Sequence, residues 1–319
     1  GFMRRGFGGA PRGAPVDAEG QPVFHQAAET FAAAVTDGQR WRWALAQAVA
    51  ADANRKPEVL WRRAMFLQNE FGVQTMQFAG IQPREAGGDG DDDAKTTGPW
   101  AVRGLKDTET IARLAVGVRR FDLPEEFNFL HLLAEVAATG KGSFSVSAVE
   151  QLAGIHENRQ QYPRAAGYWK QVITRFGPGP NNSRRESLNQ IIGNWGQFEN
   201  AKVHPAGKAT SLEYRFRNGQ RVEFEAYRVK VETLLEDVKT YIKSRPQRVD
   251  YRQINIGNIG RRLVYENQRK YVGERVAAWD LALKPRPAHF DRRVTVKTPL
   301  KQAGAFLLTA KMDDGNLSR

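Results

Sequence analysis

Near Pro205 the spacing of apolar residues changes period, and that change constrains the fold more than any other feature of the chain. Upstream, apolar residues recur every 3.6 positions, as on helices that bury one stripe. Downstream they alternate, as on strands that bury one face. The 319 residues suit two or three globular units, each large enough for its own core. The expected fold class is therefore α+β and multidomain. Residues 1–20 form a flexible Gly/Pro/Arg-rich tail, 21–204 a helical-repeat region, and 205–319 an antiparallel two-sheet sandwich with an inserted helix.

In the helical part, Phe24, Ala27, Ala28, Phe31 and Val35 predict a helix ended by Asp37-Gly38. Trp41, Leu45, Ala48 and Val49 make a second stripe, and Pro57 opens a third with Leu60, Ala64, Leu67 and Phe71. Residues 83–99 form an acidic loop whose Asp spacing lacks the regular ligands and closing Glu of a calcium site. Helical spacing returns at Ile111, Leu114, Ala115 and Val118, then at Phe127, Leu130, Leu133 and Ala137. Leu152, Ala153 and His156, followed by Tyr162-Pro163, Ala165, Trp169, Val172 and Ile173, predict two antiparallel helices that approach closely at small residues; Gly177-Pro178 ends the second. Leu188, Ile191, Ile192 and Trp195 predict a last helix. Eight helices with short connections suggest a small α-solenoid.

Beyond Pro205, Leu212, Tyr214 and Phe216 alternate with charged residues, Asn218-Gly219 reads as a hairpin turn, and Val222, Phe224 and Ala226 alternate on the return. The apolar parity then slips to Tyr227 and Val229, which predicts a bulge at 226–227. Val231, Leu234, Leu235, Val238, Tyr241 and Ile242 mark a helix over 232–243. Strand-like runs follow at Ala277-Trp279-Leu281-Leu283, at Phe290-Arg292-Val294-Val296 and from Ala305. Trp279, Leu281 and Leu283 are expected to face the core. The turn Asp313-Asp314-Gly315-Asn316 calls for a returning strand, of which only Leu317-Ser318-Arg319 follow, so the chain reads as the front piece of a longer protein with its sandwich truncated.

The net charge of +13 is uneven: residues 207–319 carry 24 Lys and Arg against 13 Asp and Glu. Because these charges mostly alternate with acids and apolar residues, a solvated strand face is the favoured reading; a basic patch at Arg261-Arg262, Arg269-Lys270 and Arg292-Arg293 is the functional alternative. There is no cysteine, which excludes disulfides, zinc-thiolate sites and a Cys nucleophile from this segment. No apolar run has the length of a membrane span. The stretch 1–9 lacks a hydrophobic signal-peptide core.

No catalytic, cofactor-binding or metal-ligating residue is assigned. His25, His131, His156, His204 and His289 have no ligand spacing, and His131 and His156 read as satisfied interface residues. Trp41, Trp43, Trp61, Trp169 and Trp195 are placed on helices, as inter-helix packing or, in the sharper reading, as the lining of a peptide groove; Trp43 lies off the stripe. Gly257-Asn258-Ile259-Gly260 lacks the Gly-Lys-Ser/Thr continuation of a phosphate cradle. Glu125-Glu126 after Pro124 read as favourable charge at a helix N-terminus.

Two regions resemble known families. The pair around Gln161-Tyr162-Pro163-Arg164-Ala165 resembles the unit of a tetratricopeptide repeat. The stretches 212–231, Tyr271-Val272-Gly273-Glu274-Arg275-Val276-Ala277-Ala278-Trp279 and Pro299-Leu300-Lys301-Gln302-Ala303-Gly304-Ala305-Phe306-Leu307-Leu308-Thr309-Ala310 resemble the first macroglobulin domain of the bacterial α2-macroglobulin family. Large members of that family carry a helical extension before this domain. The resemblance implies a non-enzymatic N-terminal segment of a protease-trapping protein in the periplasm or cell envelope. Its expected partners are downstream macroglobulin domains, target proteases through the full-length protein, and an envelope protein reached through the helical region. No cofactor is implied. The Cys–Gln thioester of many members cannot lie in a segment without cysteine. The rival readings are a free-standing tetratricopeptide-type adaptor that binds peptides, and a nucleic-acid binder using the basic sandwich. Nucleic acid is not expected, because aromatic and basic residues on the strands fall largely on opposite faces, where a stacking platform needs them together.

Overall fold

The computed structural model describes residues 13–73, 101–199, 204–205, 207, 210–255 and 259–319. The acidic loop 83–99, most of the 1–20 tail and Gly257-Asn258 lie outside the described residues. The chain divides into two compact units, Gly1–Ile191 and Ile192–Arg319, and combines helices with antiparallel sheets.

In the first unit, α1 (Asp37–Ala51) and α2 (Lys56–Phe71) precede a hairpin of β1 (Glu109–Leu114) and β2 (Gly117–Asp122). Then come α3 (Phe129–Ala138), α4 (Gly142–Asn158), α5 (Tyr162–Phe176) and α6 (Ser183–Ile192). The core joins Ala64, Leu67 and Phe71 of α2, Ala112 and Leu114 of β1, and the apolar faces of α3, α4 and α5. Between α4 and α5, Ala153 and Ala165 are fully buried, as the spacing of small residues predicts.

Two helical expectations fail here, each for a local reason. Residues 24–35 are not helical. Phe24 is gripped between Phe71 and Phe127, with ring centroids 5.3 and 5.0 Å away, while Phe31 and Val35 point to solvent. The Ala33 N–H donates to Thr30 Oγ1, a local bond that competes with helix formation. Asp37-Gly38 begins a helix instead of ending one: the Thr36 side chain accepts from Gln39 N and the Gln39 side chain reaches back, a capping box. Residues 109–122 form the β1–β2 hairpin, because β1 is buried on both faces. Ala112 and Leu114 enter the main core, and Ile111 joins a satellite cluster with Val102 and Leu105, so the run carries no strand alternation to read. Among the described residues this unit therefore holds six α-helices and a hairpin, in place of eight helices.

The third correction falls at the second unit's entrance, where Trp195 begins a strand and not the end of a helix. β3 (Trp195–Phe198), β4 (Ser211–Arg217) and, later in the chain, β7 (Arg292–Lys297) form a three-stranded sheet in the order β3-β4-β7. β5 (Arg221–Val229), β6 (Val272–Ala282), β8 (Phe306–Met312) and β9 (Leu317–Ser318) form a four-stranded sheet in the order β6-β5-β8-β9. Both sheets contribute to one apolar cluster: Tyr214, Phe216 and Val296 from the first, Val222, Phe224, Ala310 and Met312 from the second, with Leu283.

Asn218-Gly219 does not close a hairpin. β4 and β5 belong to different sheets, so this turn carries the chain across the core. Tyr214 and Phe224 then meet edge to face, 5.5 Å apart. Asn218 adopts a left-handed φ of 62°. The backbone at Gly219 runs so close to Met312 that an added Cβ would lie 2.1 Å from its sulfur. The expected bulge is present, as a register shift between Ala226 and Tyr227. Trp279 is half-buried and stacked on Phe224 at 5.3 Å, Leu281 packs beside it, and Leu283 is buried, all on the core side as expected.

After β5 comes α7 (Val231–Lys243), then the short helices α8 (Tyr251–Ile254) and α9 (Ile259–Val264). α7 buries only Leu234 and Val238 of its expected face, Leu234 packing with Val229, Leu263, Tyr271 and Leu307. The returning strand after Asp313-Asp314-Gly315-Asn316 consists of two residues, paired as Ala310 with Ser318 and Lys311 with Leu317. The same turn fastens β3. Asn316 accepts from Gly196 N at 2.8 Å and donates to Gly196 O at 2.8 Å, and Ser318 Oγ accepts from Phe198 N at 3.2 Å. Side chains thus occupy the free edge of β3 where another strand would pair.

Candidate functional site

The strongest candidate in the first unit is a cleft of about 430 Å³ between α1 and α2. The capping box sets where α1 starts, and Pro57 in the first turn of α2 sets the second wall. Trp41, Leu45 and Val49 recur at helical spacing along one wall, facing Leu60, Phe66 and Leu67, with Phe127 beside them. None of the α1 residues is fully buried, although its stripe is that of a core helix. Trp41 and Phe66 touch with centroids 5.2 Å apart.

The polar lining is mainly cationic. The Arg42 guanidinium lies 5.4 Å above the Phe66 ring. Arg63 donates from Nη2 to the Glu126 carbonyl at 3.2 Å. Among the described residues neither arginine has a carboxylate within 4.0 Å. The other charges are already engaged: Lys56 pairs with Glu135 at 2.7 Å, and the Glu126 carboxylate accepts from Gln26 Nε2 at 2.5 Å. Burial holds the Arg42 guanidinium below its ordinary value, with the like charge of Arg63 adding to this and Glu70 opposing it. Burial likewise pushes the Glu70 carboxyl up, against Arg42 and His25.

A second polar cluster ties a loop to α4 and α5. Arg159, fully buried, donates to the carbonyls of Lys106 at 3.1 Å and Glu109 at 3.0 Å. Burial lowers its value to about 10. His156 Nδ1 lies 2.8 Å from Gln161 Oε1, and its ring stacks on Tyr168 at 5.4 Å; burial lowers it to about 4. Arg164 grips Asp107 through two bonds of 2.6 and 2.7 Å. These contacts make the cluster a clasp that joins the 105–109 loop to the ends of α4 and α5.

The residues singled out by sequence are dispersed. His25 lines the cleft, and His156 is the satisfied interface residue expected. His131 is exposed on α3 instead of lying at an interface. His289 pairs with Asn218 at 2.8 Å. Among the described residues no cluster of His, Asp and Glu has the makings of a metal site. Glu125 and Glu126 fall in a 3-10 turn before α3, whose N-terminus Asn128 caps; Glu126 instead faces the cleft.

Trp41 forms a cleft wall, Trp43 rests edge-on against Phe31, Trp61 packs beside Phe144, and Trp169 bonds Glu157. In the second unit, several members of the alternative basic patch are paired: Arg262 bonds Gln268 and Tyr271, Lys270 pairs with Asp237, Arg292 bonds the Lys284 carbonyl, and Arg293 pairs with Glu199. Trp195 breaks the expected separation of aromatic and basic faces, since it sits under Arg215 and Arg217 at 5.4 and 5.7 Å. Asp291 lies 3.1 Å from Arg217.

Arg42, Arg63 and Arg159 were not legible as site residues. For the first two a signal existed, in arginines set directly beside apolar stripes at Trp41-Arg42-Trp43 and Arg62-Arg63-Ala64. Compared with protein-family models, curated proteins and solved structures, the chain matches none.

Proposed function

We propose that this chain is a non-enzymatic structural segment of a large bacterial α2-macroglobulin-like protein. In this reading the first unit is a tetratricopeptide-like helical extension and the second a macroglobulin-type sandwich that braces domains downstream. The supporting observation is the build of the second unit. Two antiparallel sheets of three and four strands close on one cluster, and α7 follows β5 directly. The sequence resemblance rests on a helical segment, a hairpin, an inserted helix and a strand led by Gly304; the helix after β5 and the strand after Gly304 support it, whereas residues 211–229 cross between two sheets instead of forming a hairpin. The assignment carries no catalytic, cofactor or metal residue. Partners would be neighbouring macroglobulin domains, proteases caught by the whole protein and an envelope component docking on the helical unit.

Two incubations with endopeptidases test this. The chain alone should leave cleavage of both small and large substrates unchanged, because one such unit cannot enclose a protease and no Cys is present for covalent capture. The full-length protein should protect large substrates while small peptides are still cut. Full-length protein that protects neither, or an isolated chain that protects large substrates by itself, overturns the proposal.

A further inference from the structure

We infer that the α1–α2 cleft is a binding site for a small amphipathic monoanion, an alkyl chain ending in one carboxylate, with its head at Arg42 and Arg63. This goes beyond the structural role proposed above and does not depend on it.

The shape of the site comes first. A stripe of Trp41, Leu45 and Val49 would normally be sealed against a neighbouring helix, yet α1 buries none of its residues completely. From Trp41 to Val49 the helix advances about 12 Å, so the apolar wall is long and narrow. The cleft's 430 Å³ lies within the range of roughly 300–1,000 Å³ common for small-molecule sites.

Charge selects the head group. Arg42 is partly desolvated against Phe66, and neither it nor Arg63 has a carboxylate in pairing distance among the described residues. Two neighbouring guanidiniums repel each other, and a carboxylate between them relieves this through charge-assisted hydrogen bonds. Glu126 lines the same cleft and Glu70 acts on Arg42, so a second negative charge on the ligand would be opposed. That argues for one carboxylate and against a phosphate dianion. An extended peptide would bring amide groups against Leu45, Val49 and Leu60, where they would lose their hydrogen bonds to water. An alkyl chain has none to lose.

Calorimetric titration of the intact chain with decanoate tests the site, with decanol and a short peptide ending in free Phe as parallel arms. Decanoate should bind at one per chain and at least tenfold more tightly than decanol or the peptide. Arg42→Gln combined with Arg63→Gln should cost decanoate at least tenfold and leave decanol within about threefold. Leu45→Trp, which fills the slot and keeps both arginines, should abolish binding of both. Circular dichroism confirms that each variant is folded. Absence of saturable decanoate binding, equal affinity for decanol, or an unchanged affinity in the double variant overturns the inference. Tighter binding of the peptide overturns it in favour of a peptide site.

Discussion

Arg159 shows what a sequence conceals at the scale of one residue. Arginine is among the residues least often buried without a partner, and nothing around position 159 marks it as internal. It becomes internal because its long forked side chain, just past the end of α4, donates to the carbonyls of both Lys106 and Glu109. Arg159→Met would keep most of the volume and remove the guanidinium donors from both carbonyls, of which that of Lys106 still accepts from Glu109 N. We expect a loss of about 2–3 kcal/mol in urea unfolding. His156 was readable as a satisfied interface residue, and its burial has a consequence for pH. Its folded value of about 4 lies below its ordinary 6.5, so the unfolded chain takes up the proton first. This contribution to stability is complete above about pH 6.5 and is lost progressively as pH falls toward 4. Asp107, held below the usual carboxylate range by Arg164, and the cations Arg159 and Arg164 are the charged groups around it. His156→Gln should flatten the dependence of the melting temperature on pH across that window, and an unchanged slope would assign the acid sensitivity elsewhere.

At the scale of elements, period and parity survived wherever one face met one core. α2, α4, α5, α7, the bulge at 226–227 and the inward face of Trp279 and Leu283 were all visible for that reason. The failures have local causes. β1 is buried on both faces, and Phe24 is gripped by Phe71 and Phe127 while Phe31 and Val35 stay exposed, so the usual patterns were missing or misleading. Asn218-Gly219 was correctly seen as a turn, but a turn's residues do not state which sheet the next strand joins. The tightness of that crossing can be tested with two alanines. At Gly219 a Cβ would lie 2.1 Å from the sulfur of buried Met312, so Gly219→Ala should cost about 1–3 kcal/mol. At Gly167, inside α5, a Cβ meets nothing within 4 Å, and Gly167→Ala should stabilise by about 0.5–1 kcal/mol. Asn316→Ala would strip both bonds from Gly196 and should cost about 1–3 kcal/mol, whereas Asn316→Asp keeps the acceptor and should cost less. Thermal melts of the four variants decide these points.

At the scale of the molecule, the division into a helical part and a strand-rich part was legible from the change of period alone. The cleft was not, because a gap between two amphipathic helices has the same sequence as a filled seam. Each unit has its own apolar cluster, so a chain ending at Gly193 should give a helical spectrum and a cooperative melt. A broad, non-cooperative transition would show that the first unit needs residues of the second. The excess positive charge lies in residues 207–319, but many of its arginines and lysines are paired internally. Affinity of that region for a polyanion such as heparin should therefore fall with salt less steeply than its net charge suggests.

The fastening of β3 by Asn316 also sets an order of events during synthesis. Gly196 and the side chain that holds it are separated by 120 residues of sequence. At ribosomal speeds of about 5–20 residues per second, β3 waits roughly 6–24 s for that partner to be made. Through that interval its outer edge has no Asn316 or Ser318 to cover it, and the nascent chain carries an open strand edge of the kind chaperones recognise. The first unit, complete before β3 emerges, has no such wait.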